Sequence, residues 1–360
     1  MITVLHSELQ GDIGGIESFL LNLSRCVNQK EVHFDFLIKG ENKKLEQRLL
    51  KLGCNVYKVP DNNLIKYVLF ICRILKKNNY NYVHIHKNSA INIVLPILTK
   101  FLSNAKIIIH SHNTDPSNSP IFLKILHYIN RPILNYIADY RFACSNEAQN
   151  WLFGRKKLVD VTIVHNGIIL DDYIFNIIER AKIRKELGLA NKTVLGNVGG
   201  FRKQKNQIFM INILKLINDN SVVLLLVGTG KDLPIVEDYV KKSKLANNVF
   251  FFKERSDVNN ILSAMDIFLM PSLWEGLPVA SVEAQASGLP LLLSDNISKE
   301  VKLTNKVYFL SLDNLKRWVE KIHYLSKKKR EDADINKIIE AGYDMKNTGL
   351  KITEFYKKNK

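Results

Sequence analysis

The chain has 360 residues, 46% of them hydrophobic and 24% charged, which is more chain than one core usually covers and an ordinary balance for a soluble globular protein. Its formal net charge of +17 favours an anionic partner: nucleic acid, an acidic membrane face or a charged substrate. No apolar run approaches the roughly 18–20 residues that cross a bilayer, so an integral membrane protein is not expected.

The first residues, MITVLHS, form a strand-like run without a basic leader, so no signal peptide is expected and the chain reads as cytoplasmic. Strand candidates follow as VHFDFLI, NVYKV, YVHIH, KIIIH, YRFAC and VTIVH. Between them lie helical segments at 15–29, 41–52, 64–78, 88–103 and 119–138. The stretch 166–192 carries no clear strand, and then the pattern restarts with TVLGNVG, VVLLLVG, NVFFF, DIFLM, PLLLS and KVYFL. Helical segments at 205–218, 231–245, 279–287 and 312–325 alternate with these, and MKNTGLKITEFYKKNK closes the chain as an amphipathic helix. Continuous apolar strands separated by crossover helices predict parallel sheets covered on both faces. The expected fold is α/β: two Rossmann-like, doubly wound domains facing across a cleft, with ligands at the carboxyl ends of the strands. The boundaries are expected at 1–168 and 169–343, with the helix near 344–360 packing back on the first domain.

The four cysteines, Cys26, Cys54, Cys72 and Cys144, form no CxxC pair and suit neither zinc nor a disulfide framework. Zinc-finger spacing, an RNP-like aromatic motif and a helix-turn-helix are all missing, so nucleic acid is not the expected partner. The segment WEGLPVASVEAQASGLP, 274–290, is more informative. Pro278 suits the first turn of a helix and Gly288 its end. The backbone N–H groups of Gly276, Leu277 and Val279 are then available at a helix start, which suits a phosphate. Glu275 and Glu283 would repel that phosphate, so they are expected to accept hydrogen bonds from hydroxyl groups on either side of it. Sugar, diphosphate and ribose together make a nucleotide sugar.

These residues resemble the E-x7-E donor-site signature of the GT-B, family 4 retaining glycosyltransferases. The resemblance runs along nearly the whole chain, through GDIGGIESFLLNL, IIIHSHN, RFACS, VHNGI and FFKERSDVNNILSAMDIFLMPS. It is nearest to bacterial transferases of capsular or exopolysaccharide assembly. It implies that Glu283 binds the ribose and Glu275 the donor sugar, with the base held around Lys253 to Arg255. Gly14 and Gly15 would approach the phosphates and the reacting centre, where a side chain would block the backbone. His112 would touch the donor sugar, with His110 as the second candidate. The family pattern G-R-x4-K becomes GGFRKQK here: Lys205 matches the lysine, Gly200 takes the arginine position, and Arg202 or Lys203 is the candidate replacement. Ile169 in NGII replaces an acid and reads as a linker variation. The resemblance further implies a UDP-linked donor, a lipid-diphosphate-linked or saccharide acceptor, retention of anomeric configuration and no metal or other cofactor. The first domain would hold the acceptor and the second the donor.

Other readings stand beside this one. His84 and His86 are strand histidines with a structural or a site role. GTG at 228–230 reads as a strand-to-helix turn, and DAD at 332–334 as part of a charged helical segment. The segments 64–78 and 121–139 read as helices packed on a sheet or docked on anionic lipid. Rival functions are a non-catalytic subunit assisting a partner transferase and a nucleotide-sugar epimerase. A dehydrogenase is disfavoured because GDIGGIE lacks GxGxxG spacing.

Overall fold

The computed structural model describes residues 1–9, 14–60, 63–113, 120–155, 160–253, 255, 257–275 and 278–360. Contacts divide the chain into two compact units, Met1–Ile168 with Gly342–Lys360, and Ile169–Ala341.

Among its described residues the N-terminal unit has seven strands: β1 (Ile2–Leu9), β2 (Val32–Lys39), β3 (Asn55–Val59), β4 (Tyr82–Lys87), β5 (Lys106–Ser111), β6 (Tyr140–Ala143) and β7 (Thr162–Ile163). All pairs are parallel, in the order β3-β2-β1-β4-β5-β6-β7. The helices are α1 (Gly15–Cys26), α2 (Lys43–Lys51), α3 (Leu64–Lys77), α4 (Val94–Leu102), α5 (Ile121–Ile137) and α6 (Asn146–Leu152). The chain moves outward from β1 to β3 and then returns to β4, β5 and β6. Right-handed crossovers therefore place α1 and α2 on one face, and α3, α4 and α5 on the other. Ile71, Ile74, Leu75, Leu95, Leu134 and Ile137 of the second trio enter one core with the sheet. The C-terminal helix, α14 (Met345–Lys358), lies against α1, where a Cβ on Gly349 would stand 3.0 Å from Cys26 Cβ. Its return is fixed by Ile168 N–H to Tyr343 O at 2.9 Å and Met345 N–H to Ile168 O at 2.8 Å.

The C-terminal unit begins with α7 (Ile177–Glu186). Its strands are β8 (Thr193–Val198), β9 (Val222–Val227), β10 (Val249–Phe252), β11 (Ile267–Met270), β12 (Leu291–Ser294) and β13 (Val307–Leu310). They pair in parallel as β10-β9-β8-β11-β12-β13. Between and after them run α8 (Gln207–Ile217), α9 (Leu233–Lys242), α10 (Val258–Ala264), α11 (Val279–Ala286), α12 (Leu315–Ser326) and α13 (Ile335–Glu340). Buried Val, Ile and Leu on both faces of these strands form two cores, as doubly covered sheets require. The strand order reverses between β8 and β11, so the loops leaving their carboxyl ends open side by side.

Several segments differ from the sequence-based expectation. The helix expected over 88–103 begins only at Val94. Helices α6, α7 and α10 were not expected; each has ten residues or fewer, too short for a clear apolar stripe, and the charged helical segment expected around 332–334 begins only at Ile335, as α13. Residues 332–334 are not helical: the Asp334 side chain accepts from Lys337 N–H and caps α13.

Candidate functional site

In the C-terminal unit the loop after β8, residues 199–206, is tied to the segment after β11. Leu273 N–H donates to Gln204 O at 2.8 Å, the Gln204 side-chain amide donates to Trp274 O at 2.9 Å, and that of Asn206 donates to Pro271 O at 3.1 Å. Asn206 has φ 54°, a conformation asparagine tolerates better than most residues. These ties bring Lys205 Nζ to 2.7 Å from Glu275 Oε1, an ion pair without the alignment of a hydrogen bond. Both side chains are largely covered, at 17% and 9% exposure, so the pair is poorly screened by water. A Cβ on Gly200 would lie 3.5 Å from Arg202 Nε, so the Arg202 side chain folds beside the position where the family pattern has arginine. Arg202 itself is exposed.

Helix α11 starts at Val279 behind Pro278, whose own side chain makes no cap. A helix start carries the positive end of the helix dipole, which suits an anion. Gly276 and Leu277, expected to add N–H donors here, lie outside the described residues. Glu283 is in the second turn of α11, where the Tyr173 hydroxyl donates to its Oε1 at 2.9 Å. The residue is half-buried, but desolvation of the carboxyl pushes its pKa up to about 7, against a smaller lowering by the Tyr173 bond. Arg255 follows β10 and is exposed. Its guanidinium bonds both Asp257 oxygens, at 2.7 and 2.6 Å, and lies over the Phe252 ring.

In the N-terminal unit Gly14 and Gly15 lie exposed at the start of α1. Gly14 N–H donates to Glu17 Oε2 at 2.9 Å, and a Cβ there would crowd that carboxylate. A Cβ on Gly15 would meet nothing within 4 Å among the described residues, so their packing does not itself require glycine. His112 directly follows β5 and is half-buried, and both of its ring nitrogens are engaged: Nδ1 with Asn166 Oδ1 at 3.0 Å, and Nε2 with His86 Nδ1 at 2.8 Å. His86 Nε2 continues to His6 Nδ1 at 3.0 Å. A second file runs from the Tyr356 hydroxyl to His84 Nδ1 at 2.7 Å and from His84 Nε2 to His110 Nδ1 at 3.3 Å. The register explains the pattern. His6 is opposite His84 and His86 opposite His110 on one sheet face, and each bond joins a diagonal pair on neighbouring strands. With Asn166 Oδ1 as acceptor, His112, His86 and His6 all carry their proton on Nδ1, and His6 Nε2 is left buried without a hydrogen-bond partner among the described residues. Burial holds all five imidazoles neutral: His6 falls to about 3, His112 to about 4, and His84, His86 and His110 well below the usual range. Two trios, His6–His84–His86 and His86–His110–His112, could hold a metal ion. Most of their ring nitrogens already bond one another or a neighbour.

Comparison with known proteins gives the arrangement a family. Residues 13–172 match the model for Glycosyltransferase Family 4, and residues 179–344 that for Glycosyl transferases group 1, so that the two together take in most of the chain. The chain belongs to these glycosyltransferases. A Bacillus subtilis protein, EpsF, named as a glycosyltransferase, is 29% identical over 83% of this chain and 80% of its own. An Escherichia coli protein named UDP-Gal:alpha-D-GlcNAc-diphosphoundecaprenol alpha-1,3-galactosyltransferase is 27% identical over 64% of this chain and 62% of its own. The crystal structure of Anabaena HepE in complex with UDP and glucose superposes with a TM-score of 0.82 over 99% of this chain and all of its own, at 19% identity, which establishes the GT-B fold.

Within this glycosyltransferase the described positions fall into two groups. Lys205, Arg202, Glu275, Val279 and Glu283 belong to the C-terminal unit's loops and helix at the β8/β11 switch, and Arg255 follows β10 in the same unit. Gly14, Gly15 and His112 follow β1 and β5 of the N-terminal unit. Sequence reading missed Tyr173, which sits in a stretch without periodicity, and the inward continuation of His112 through His86 to His6. It also read GTG as a plain turn. In the structure Gly228 and Gly230 have φ 142° and 155°, and a Cβ on either would fall 2.2 Å from Gly199 O or 2.3 Å from Phe201 O. These glycines let the Lys205 loop lie down.

Proposed function

We propose that the protein transfers a sugar from a UDP-sugar to a lipid-diphosphate-linked saccharide during surface polysaccharide assembly, with retention of anomeric configuration and without a metal ion. The observation that carries the reading is the Lys205–Glu275 pair, with the start of α11 four residues after Glu275 and Glu283 one turn further on. A cation and a helix start suit a diphosphate, and the carboxylates suit the hydroxylated rings at its ends. Lys205 and Arg202 stabilise the charge that develops on the leaving diphosphate, the work a divalent cation does in other transferases. Glu275 accepts from the donor sugar and Glu283 from the ribose. The two glutamates are not an acid–base pair of the glycosidase kind. The base is held by the stretch after β10 through backbone groups, since the Arg255 side chain is occupied by Asp257. The roles of Gly14, Gly15 and His112 rest on the family resemblance of their motifs. The donor and acceptor classes are supported by the printed name of the Escherichia coli relative.

The test is a thermal-shift screen of nucleotide sugars followed by transfer to diphosphate-linked lipid acceptors, with and without EDTA. UDP-sugars should raise the melting temperature, EDTA should leave turnover unchanged, and the product anomer should match that of the donor. A shift with purine nucleotides only would overturn the donor reading. UDP binding without any transfer would favour a non-catalytic subunit.

A further inference from the structure

Taking Glu283 as the acceptor for the ribose, as proposed above, we infer that Tyr173 is its positioning residue: by holding the Glu283 carboxylate, Tyr173 makes the donor site prefer a ribonucleotide over one without ribose hydroxyls. The Tyr173 hydroxyl donates to Glu283 Oε1 at 2.9 Å, across 110 residues of chain. Both residues belong to the C-terminal unit. The Tyr173 ring packs against a core of that unit, which a phenylalanine would do equally well. Packing therefore accounts for the ring and leaves the hydroxyl, which is aimed at the carboxylate.

The backbone under Tyr173 is well anchored. Tyr173 ends a 3-10 turn, Leu170–Tyr173, that lies against both α10 and α11, with Leu170 buried. Just beyond it, Asn176 N–H donates to Ser263 Oγ at 3.2 Å. The Arg180 guanidinium donates to Ser263 O at 3.1 Å and to Met265 O at 2.9 Å, at the end of α10. A glutamate side chain alone keeps several rotamers, and fixing them opposes binding. The Tyr173 bond fixes Glu283 before a ligand arrives, which favours affinity. It occupies Oε1 and leaves Oε2 as the freer acceptor. It also favours the ionised carboxyl against the desolvation that raises its pKa to about 7. The ionised form is the one that binds a hydroxyl strongly. A fixed, partly covered acceptor discriminates well, because an analogue without the hydroxyl leaves it unpaired.

The experiment is calorimetry of the full-length protein with UDP and with dideoxy-UDP, which lacks both ribose hydroxyls. The parent should favour UDP by about tenfold or more. Tyr173→Phe keeps the ring and should keep its affinity for dideoxy-UDP while losing affinity for UDP, so that the preference shrinks about threefold or more. Glu283→Ala should shrink it as well. Adding Tyr173→Phe to Glu283→Ala should change the ratio no further, because the tyrosine acts through the glutamate. A folded Tyr173→Phe protein that binds both ligands more weakly by the same factor, or keeps the parent's preference, would overturn the proposal. So would a further drop in the double variant. A parent without the preference, or one that Glu283→Ala leaves intact, overturns the ribose role of Glu283 itself, and the positioning role falls with it.

Discussion

Lys205 Nζ stands 2.7 Å from Glu275 Oε1, the cation expected to grip a diphosphate held by the carboxylate expected to grip the sugar beside it. The two demands conflict: while Glu275 is ionised it both occupies Lys205 and repels an incoming phosphate. Removing the charge but keeping the shape separates them. Glu275→Gln should bind UDP about threefold to tenfold more tightly, the scale of a partly covered charge pair. Its transfer rate should fall by about a hundredfold, because the sugar loses an ionic acceptor. Lys205→Ala should weaken UDP and slow transfer together. Calorimetry with UDP and initial rates decide the matter, and a Glu275→Gln protein that binds UDP more weakly would sink the argument.

Glu283 carries a different conflict. Desolvation raises its carboxyl to about 7 in the fold, from an ordinary 4.5. Between those values the folded chain holds a proton that the unfolded chain has lost. Stability contributed by the protonated form is therefore complete below 4.5 and lost as pH rises through about 7. Glu283→Gln cannot ionise and still accepts from Tyr173, so it should be more stable than the parent by about 2–3 kcal/mol at pH 8 and unchanged at pH 4.5. Urea melts at the two pH values measure this. The same variant should bind UDP about tenfold more weakly, having lost an ionic acceptor for a ribose hydroxyl.

The thirteen strands among the described residues were all legible in the sequence, because each is a short, largely apolar run bounded by polar residues and the runs recur at crossover spacing. The positions of Glu275, Glu283 and Lys205 in the fold were legible because they sit at fixed offsets from glycines and prolines that mark strand and helix ends. Tyr173 was not: its partner Glu283 is 110 residues away and nothing local marks the pairing. The histidine files were half legible. The HIH and HSH alternations place their rings on one face, but only the register between strands puts His6 beside His86. Of the two candidates for the arginine position, Arg202 and Lys203, the sequence could not say which side chain lies near Gly200; the structure shows that Arg202 does.

Gly228→Ala tests the support of the Lys205 loop. Its φ of 142° disfavours any side chain, and the added Cβ would fall 2.2 Å from the Gly199 carbonyl oxygen, a backbone atom with little room to move. The variant should lose about 2–4 kcal/mol of stability. At temperatures where it remains folded, its UDP affinity should also fall, because the loop can relieve the clash only by shifting Lys205. A melting temperature equal to the parent's would show that the loop is not pinned there.

Gly15→Ala makes the opposite case. The added Cβ meets nothing within 4 Å among the described residues, and alanine is the better helix former. Stability should be unchanged or slightly raised. If Gly15 is glycine to admit the donor, transfer should fall about tenfold or more, since a small misplacement at a reacting centre is costly. Full activity in this variant would assign the Gly14–Gly15 pair to turn geometry alone.

The histidine files make the N-terminal unit sensitive to acid. Each of the five imidazoles has its folded pKa depressed by burial, His6 to about 3 and His112 to about 4, so the folded chain stays neutral where the unfolded chain takes up protons. The stability is whole above the unfolded value near 6.5 and is lost as pH falls toward 4. Each neutral histidine costs about 1.4 kcal/mol for every pH unit below that value. Five acting together should unfold the unit well before pH 4. Hydrogen exchange between pH 7 and 5 should show protection falling first in β1, β4 and β5. His6→Phe should reduce the slope of stability against pH by one proton, because Phe34 and Phe36 already surround that ring with aromatic surface. A stability that stays flat from pH 7 to 5 would mean that the files accept protons without cost, and that the buried lone pair on His6 Nε2 has a partner after all.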